Sequence, residues 1–156
     1  MTRTEPRNPA QPAPEAPWWA DGLPFSCQQS GKCCHQRGGY GYVYVNARER
    51  QALADHLGLS LGQFNRRYTR SEEDGARVLR FVARACIFLE DGLCSVHEAK
   101  PVQCRTWPFW EELLASPEVY EREVRSFCPG SRTGPTVDAA SIRAQLEETE
   151  AALWEV

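Results

Sequence analysis

A two-residue rhythm first appears in "YGYVYV", where Tyr40, Tyr42 and Tyr44 alternate with Gly41, Val43 and Val45. That pattern predicts a strand with two unlike faces over residues 40–45. The glycines beside it, Gly38, Gly39 and Gly41, read as a loop and a bulge, because their spacing is not that of a dinucleotide-binding turn. The period then lengthens. In "NARERQALADHLG", Leu53 and Leu57 fall on one helical face, Asn46 and Glu49 have capping-box spacing, and Gly58 is a C-terminal stop. His56 on this helix reads as an ordinary surface residue. A second short helix follows, with Ser60 as cap, Gln63 three residues on, and Leu61, Phe64 and Tyr68 on a shared face.

Alternation returns where Val78, Arg80 and Val82 interleave with Leu79 and Phe81. Glu90, Asp91 and Gly92 are a turn signal, which would fold residues 86–89 against residues 93–96 as a hairpin. Cys86 and Cys94 would then lie on facing strands or at their ends. Pro101 interrupts any helix begun at His97 or starts a new turn, and Pro108 ends the segment carrying Cys104. Ser116 followed by Pro117 predicts a helix from residue 117 to about residue 127. A last helix is expected over residues 138–154, with Ile142, Leu146, Thr149 and Leu153 near one face. Glu147, Glu148, Glu150 and Glu155 there read as a solvated acidic surface.

Residues 1–24 show neither period. Pro6, Pro9, Pro12, Pro14 and Pro17 forbid a helix, and little apolar surface is available to offset ordering. Trp18 and Trp19 either dock on the domain or mark where order begins. The expected fold is therefore α+β: a small irregular single domain with a β-hairpin, several short helices and a cysteine-lined metal site. Residues 1–24 would form a disordered leader, residues 25–132 the cysteine-cluster domain, and residues 133–156 a C-terminal helix packed on it. No internal repeat is evident.

Composition narrows the function classes. The chain has 156 residues, enough for one modest core, and a formal net charge of -3, so no phosphate-binding footprint and no nucleic-acid partner is expected. No apolar run approaches the roughly 20 residues of a membrane helix. The N-terminal stretch lacks the apolar centre of a secretory signal, so a cytoplasmic setting is expected.

Seven cysteines change the picture most: Cys27, Cys33, Cys34, Cys86, Cys94, Cys104 and Cys128. In a reducing compartment such a set points to metal or catalysis rather than to disulfides, and an odd count cannot pair completely within one chain. The intervening segments are 5, 0, 51, 7, 9 and 23 residues long, so no C-x-x-C knuckle, ferredoxin run or thioredoxin motif is present. In an extended segment the adjacent Cys33 and Cys34 would point to opposite faces and serve different jobs, whereas a turn could bring both to one site. Thiolates are soft donors that select zinc, Cu(I) or iron–sulfur. His35 or His97 could add a ligand. Arg105, next to Cys104, could donate to a sulfur or form an ordinary salt bridge.

"FSCQQSGKCC", "CIFLEDGLCSVHEAKPVQCRTWPF" and the trailing "CPG" resemble the YkgJ-like cysteine-cluster family. The resemblance spans residues 25–130 and is carried most specifically by Cys86, Leu89, Cys94, Ser95, Pro101, Cys104, Arg105, Pro108 and Phe109. It implies zinc or iron chelation, or an iron–sulfur cluster, through the cysteines. The chain departs from the family in two places. Ser30 stands where the family has a second cysteine, and His97 where it commonly has tyrosine.

Three functions follow as expectations. The first is a cytoplasmic metal-binding protein holding an iron–sulfur cluster or zinc through Cys27, Cys33, Cys34, Cys86, Cys94, Cys104 and Cys128. The second is a metal- or thiolate-dependent enzyme, with Cys34 beside His35 as a candidate nucleophile. The third is a structural or delivery module for zinc. The metal ion or cluster is the partner the residues indicate, and no protein partner is identified.

Overall fold

The computed structural model describes residues 15–37 and 42–155. Residues 1–14 of the expected leader, Gly38, Gly39 and the first two positions of the expected 40–45 strand lie outside them.

Both capping boxes form. In α1 (Ala47–Leu57) the Asn46 side chain accepts from the Glu49 N–H while the Glu49 carboxylate accepts from the Asn46 N–H. Ser60 and Gln63 repeat the exchange at α2 (Leu61–Tyr68). Two of the four orphan donors at each helix start are thereby satisfied. The apolar faces point inward, burying Leu53, Ala54 and Phe64.

β1 (Leu23–Pro24) precedes α1 in the chain. After α2, β2 (Thr69–Ser71) pairs antiparallel with β3 (Arg77–Leu79). The segment at residues 42–45 runs beside β3 without becoming a strand. Tyr44 bridges Val78, Val45 N–H donates to Arg77 O, and Leu79 N–H donates to Val43 O. The chain then turns into α1 at Asn46, which ends the pairing.

Two consecutive tight hairpins replace the single one expected. β4 (Phe81–Val82) pairs with β5 (Ala85–Cys86), and β6 (Leu89–Glu90) pairs with β7 (Leu93–Cys94). Their turn residues all have positive φ: 49° and 68° at Ala83 and Arg84, 50° and 78° at Asp91 and Gly92. Positive φ at both central positions matches the twist of a two-residue hairpin. Closing bonds recur eight residues apart, from Ile87 N–H to Arg80 O and from Ser95 N–H to Phe88 O. The unit is thus a structural repeat that the sequence reading missed. It also corrects the pairing of the cysteines: Cys86 lies opposite Phe81 and Cys94 opposite Leu89, not opposite each other.

Cys104 sits on α3 (Val102–Thr106), a single turn that starts directly after Pro101. α4 (Pro117–Tyr120) is capped by Ser116 and widens into a π turn at Glu121–Arg125, where one continuous helix was expected. β8 (Thr136–Val137) pairs antiparallel with β1. Asp138 then caps α5 (Ala139–Trp154). The whole is a small α+β fold. No helix among the described residues is long and apolar enough to cross a membrane.

Two separate hydrophobic cores result. The first gathers Trp19, Leu23, Trp107, Phe109, Leu113, Leu114, Tyr120, Val124 and Ile142. The second gathers Val45, Leu53, Ala54, Phe64, Leu79, Phe88 and Val96. The first core moves the start of the folded chain ahead of Phe25. Trp19 and Leu23 are buried, and Trp18 Nε1 donates to Leu114 O at 2.7 Å. α5 lies against α3, with Thr106 and Thr149 hydroxyls 2.7 Å apart and Arg105 paired to Glu148 at 2.7 Å. Leu153, expected on that packed face, is instead 51% exposed near the helix end.

The Ala83–Arg84 turn holds two side-chain-bearing residues in a left-handed conformation, at about 1–2 kcal/mol per residue relative to a favourable one. The double variant A83N/R84G supplies the preferred turn pair. Its thermal unfolding midpoint should rise by several degrees. An unchanged or lower midpoint would show that the turn is not strained.

Candidate metal centre

All seven cysteines line one cavity. Its walls come from both cores: Phe25, Trp107 and Trp110 on one side, and Leu79, Phe88 and Val96 on the other. The cavity is therefore a seam. It offers about 90 Å³ to a water-sized sphere, several times the ~10–15 Å³ that one water needs. A metal ion, a pair of ions or a small cluster has room there.

Local backbone geometry sets each thiol. Cys33 and Cys34 lie on a one-turn 3₁₀ segment, Lys32–Cys34, introduced by Gly31 at φ 70°. Gly31 is buried against the turn of the second hairpin, where an added Cβ would sit 2.6 Å from Gly92 O. This close approach brings the adjacent cysteines to Cys94. Cys86 and Cys94 occupy equivalent last positions of the two hairpins. Each thiol receives a backbone N–H from the residue two further on, Phe88 and Val96 respectively. Cys27 and Cys128 arrive together, because Ser26 N–H donates to Gly130 O at 3.0 Å and a Cβ on Gly130 would overlap Ser26 O.

The electrostatics divide the thiols. Cys34 hydrogen-bonds to both Cys33 and Cys94, which holds its proton far above the ordinary range. The Cys34 hydrogen bond lowers Cys33 to about 7 against the cost of burial, with the Lys100 ammonium assisting. Cys94 falls to about 6 by the same Cys34 bond, helped by the Val96 N–H and Lys100. Burial pushes Cys86 up to about 11, and burial with neighbouring thiolates pushes Cys104 well above its usual value. Negative charge thus collects on Cys33 and Cys94, while Cys34, Cys86 and Cys104 keep their protons. A bound cation would replace those protons, so metal uptake would release them.

The other candidates sort clearly. His97 lines the cavity, with Nε2 3.9 Å from Cys27 Sγ and 3.3 Å from Lys100 Nζ. His35 lines an adjoining cavity instead, and its Nδ1 donates to Gly31 O at 3.1 Å. No Cys34–imidazole pair is formed by it. Arg105 forms the ordinary salt bridge, to Glu148 on α5. Lys100 is the cation that sequence reasoning missed. Its signal was modest: a lysine three residues after His97, beside a proline that starts α3.

The donor set fits zinc or iron. The thiols are soft, a single ammonium offsets them, and the indole N–H of Trp107, a lining residue, is buried with no acceptor. Among the described residues no three His, Cys, Asp or Glu side chains already converge to coordination distance. The sulfurs surround a space rather than a point.

The family model described as "CxxCxxCC: Putative zinc- or iron-chelating domain" matches residues 26–129. The chain belongs to this family. No solved structure matches the chain.

Charge distribution among the thiols is open to direct measurement. At pH 7, in the reduced metal-free chain, Cys33 is about half thiolate whereas Cys86 is almost wholly protonated. Iodoacetamide should therefore label Cys33 well before Cys86 and Cys104, read by timed peptide mass spectrometry. Cys33 labelling should slow as pH falls below 7, because its thiolate is reprotonated. Equal rates at the three sites would contradict the assignment.

Proposed function

We propose that this member of the family carries a thiolate-bound metal centre in the seam between its two cores, with an iron–sulfur cluster as occupant and a cytoplasmic setting. One observation carries the reading: seven cysteines, scattered over a hundred residues of sequence, line one cavity. Core packing alone does not account for that gathering. Buried free cysteines act as small hydrophobes one at a time, whereas here Cys33, Cys34, Cys86, Cys94 and Cys104 act on one another's ionisation.

The number of thiols does not choose, since one zinc and one cluster each take four. One feature favours a cluster. The walls are apolar and aromatic, which suits a cofactor sensitive to solvent. Zinc is the second reading, since its structural sites also use closed sets of thiolates. A thiolate nucleophile draws little support, because Cys34 keeps its proton in hydrogen bonds to neighbouring thiols and His35 is bonded elsewhere.

Anaerobic purification followed by iron, sulfide and zinc counts per chain tests the reading. Visible charge-transfer absorbance with matching iron and sulfide supports the cluster. A colourless chain holding one or two zinc ions replaces it with zinc. A folded chain that binds neither overturns the metal centre. Removal of the metal should also lower the thermal midpoint markedly and broaden the transition, because binding free energy is folding free energy at such a site. An identical transition with and without metal would show that the two cores do not depend on it.

A further inference from the structure

In the C-x-x-C-x-x-C-C run that names the family, this chain reads Cys27, Ser30, Cys33 and Cys34. The run is one thiol short. A serine hydroxyl is a poor donor to a soft metal site. We propose that His97 takes the coordination place left by Ser30, so that the centre has a mixed cysteine–histidine ligand set. The inference rests on the metal-centre reading above.

Geometry carries it. Ser30, Cys27 and His97 line the same cavity. His97 Nε2 lies 3.9 Å from Cys27 Sγ. With Zn–S near ~2.3 Å and Zn–N near ~2.0–2.1 Å, two ligands on one tetrahedral ion are about 3.6 Å apart. The observed separation is within a few tenths of an ångström of that spacing. Iron with thiolate and imidazole ligands has similar needs.

The hydrogen-bond pattern adds a second line. Lys100 Nζ lies 3.3 Å from the same nitrogen, and an ammonium has only donors to offer. In this contact Nε2 accepts and the ring proton is on Nδ1, so a metal at Nε2 would displace the Lys100 donor from that lone pair. The backbone of His97 is also fixed by the cysteine hairpins. It opens the 3₁₀ turn His97–Ala99, three residues beyond Cys94, closed by Ala99 N–H on Val96 O. The chain's two other histidines do not compete. His35 is committed to Gly31 O and lines the neighbouring cavity, and His56 is exposed on α1.

The substitution has an electrostatic consequence. A neutral imidazole in place of a thiolate removes one negative charge from the ligand set. On an iron–sulfur cluster, histidine for cysteine raises the reduction potential. On zinc it lowers the charge that Lys100 must offset.

X-ray absorption on the full-length purified chain, at the edge of the zinc or iron it carries, tests the ligand directly. The wild-type chain should show the scattering of one imidazole, and H97A should lose it. In competition with a chromophoric chelator, using zinc loaded into the metal-free chain, H97A should bind at least about tenfold more weakly. The double variant S30C/H97A should regain affinity with a thiolate-only spectrum. A wild-type spectrum with sulfur ligands alone overturns the inference and leaves the metal centre standing. So does H97A binding zinc as tightly as wild type. Failure of the wild-type chain to bind either metal overturns both. Should H97A fold poorly, the wild-type spectrum still decides.

Discussion

Seven thiols around one cavity cannot all ionise unless a cation stands among them. Unscreened thiolates a few ångströms apart repel strongly in a partly buried space. Without metal, the protein meets this constraint with protons and one lysine. Cys34 shares its one proton with two neighbours, Cys86 and Cys104 stay neutral, and Lys100 faces the two thiols that carry charge. Every one of those devices is reversible. A soft cation could take over the work of the protons.

That backbone is built for presentation rather than for its own stability. Among the described residues, four sheets of two strands, one-turn helices and 3₁₀ segments supply few cooperative hydrogen bonds. Their advantage is sharp direction change. Two hairpins in tandem deliver Cys86 and Cys94 with the same backbone N–H partner two residues on, a ready-made environment for thiolate. Gly31 on Gly92 and Gly130 on Ser26 are contacts that a side chain would prevent, and they set where the other cysteines enter. The two cores remain separate because the thiols, not apolar side chains, occupy the space between them.

Legibility in the sequence followed the range of the interaction. Both capping boxes, the Asp91–Gly92 turn, α5 and the cysteine set were readable, since each rests on residues a few positions apart or on chemistry independent of position. The first hairpin was not, because Ala83 and Arg84 carry no turn signal and are held at positive φ by the pairing around them. Trp18 and Trp19 could be read either way until Leu114, nearly a hundred residues on, supplied the acceptor. The β1–β8 pairing and the choice of Glu148 over a sulfur as partner of Arg105 are equally long-range. Lys100 escaped notice because its role depends only on what surrounds it.

The cysteines reach the seam from both sides. Cys27 and Cys128 are tied by Ser26 and Gly130 to the core that holds Trp107 and Tyr120, while Cys86 and Cys94 belong to the core around Phe64 and Phe88. A metal held by only one group would stabilise that group and leave the seam unclosed. An ion or cluster shared between them would couple two small cores, each too limited to be robust alone, into one cooperative unit. His97 stands at this junction: its turn grows out of the Cys94 hairpin, and its Nε2 faces Cys27 across the seam. Replacing a thiol in the Cys27 loop by an imidazole from the opposite side keeps the donor number while moving one attachment across the seam. With Ser30 in that loop, a His97 ligand would add one more tie between the two cores.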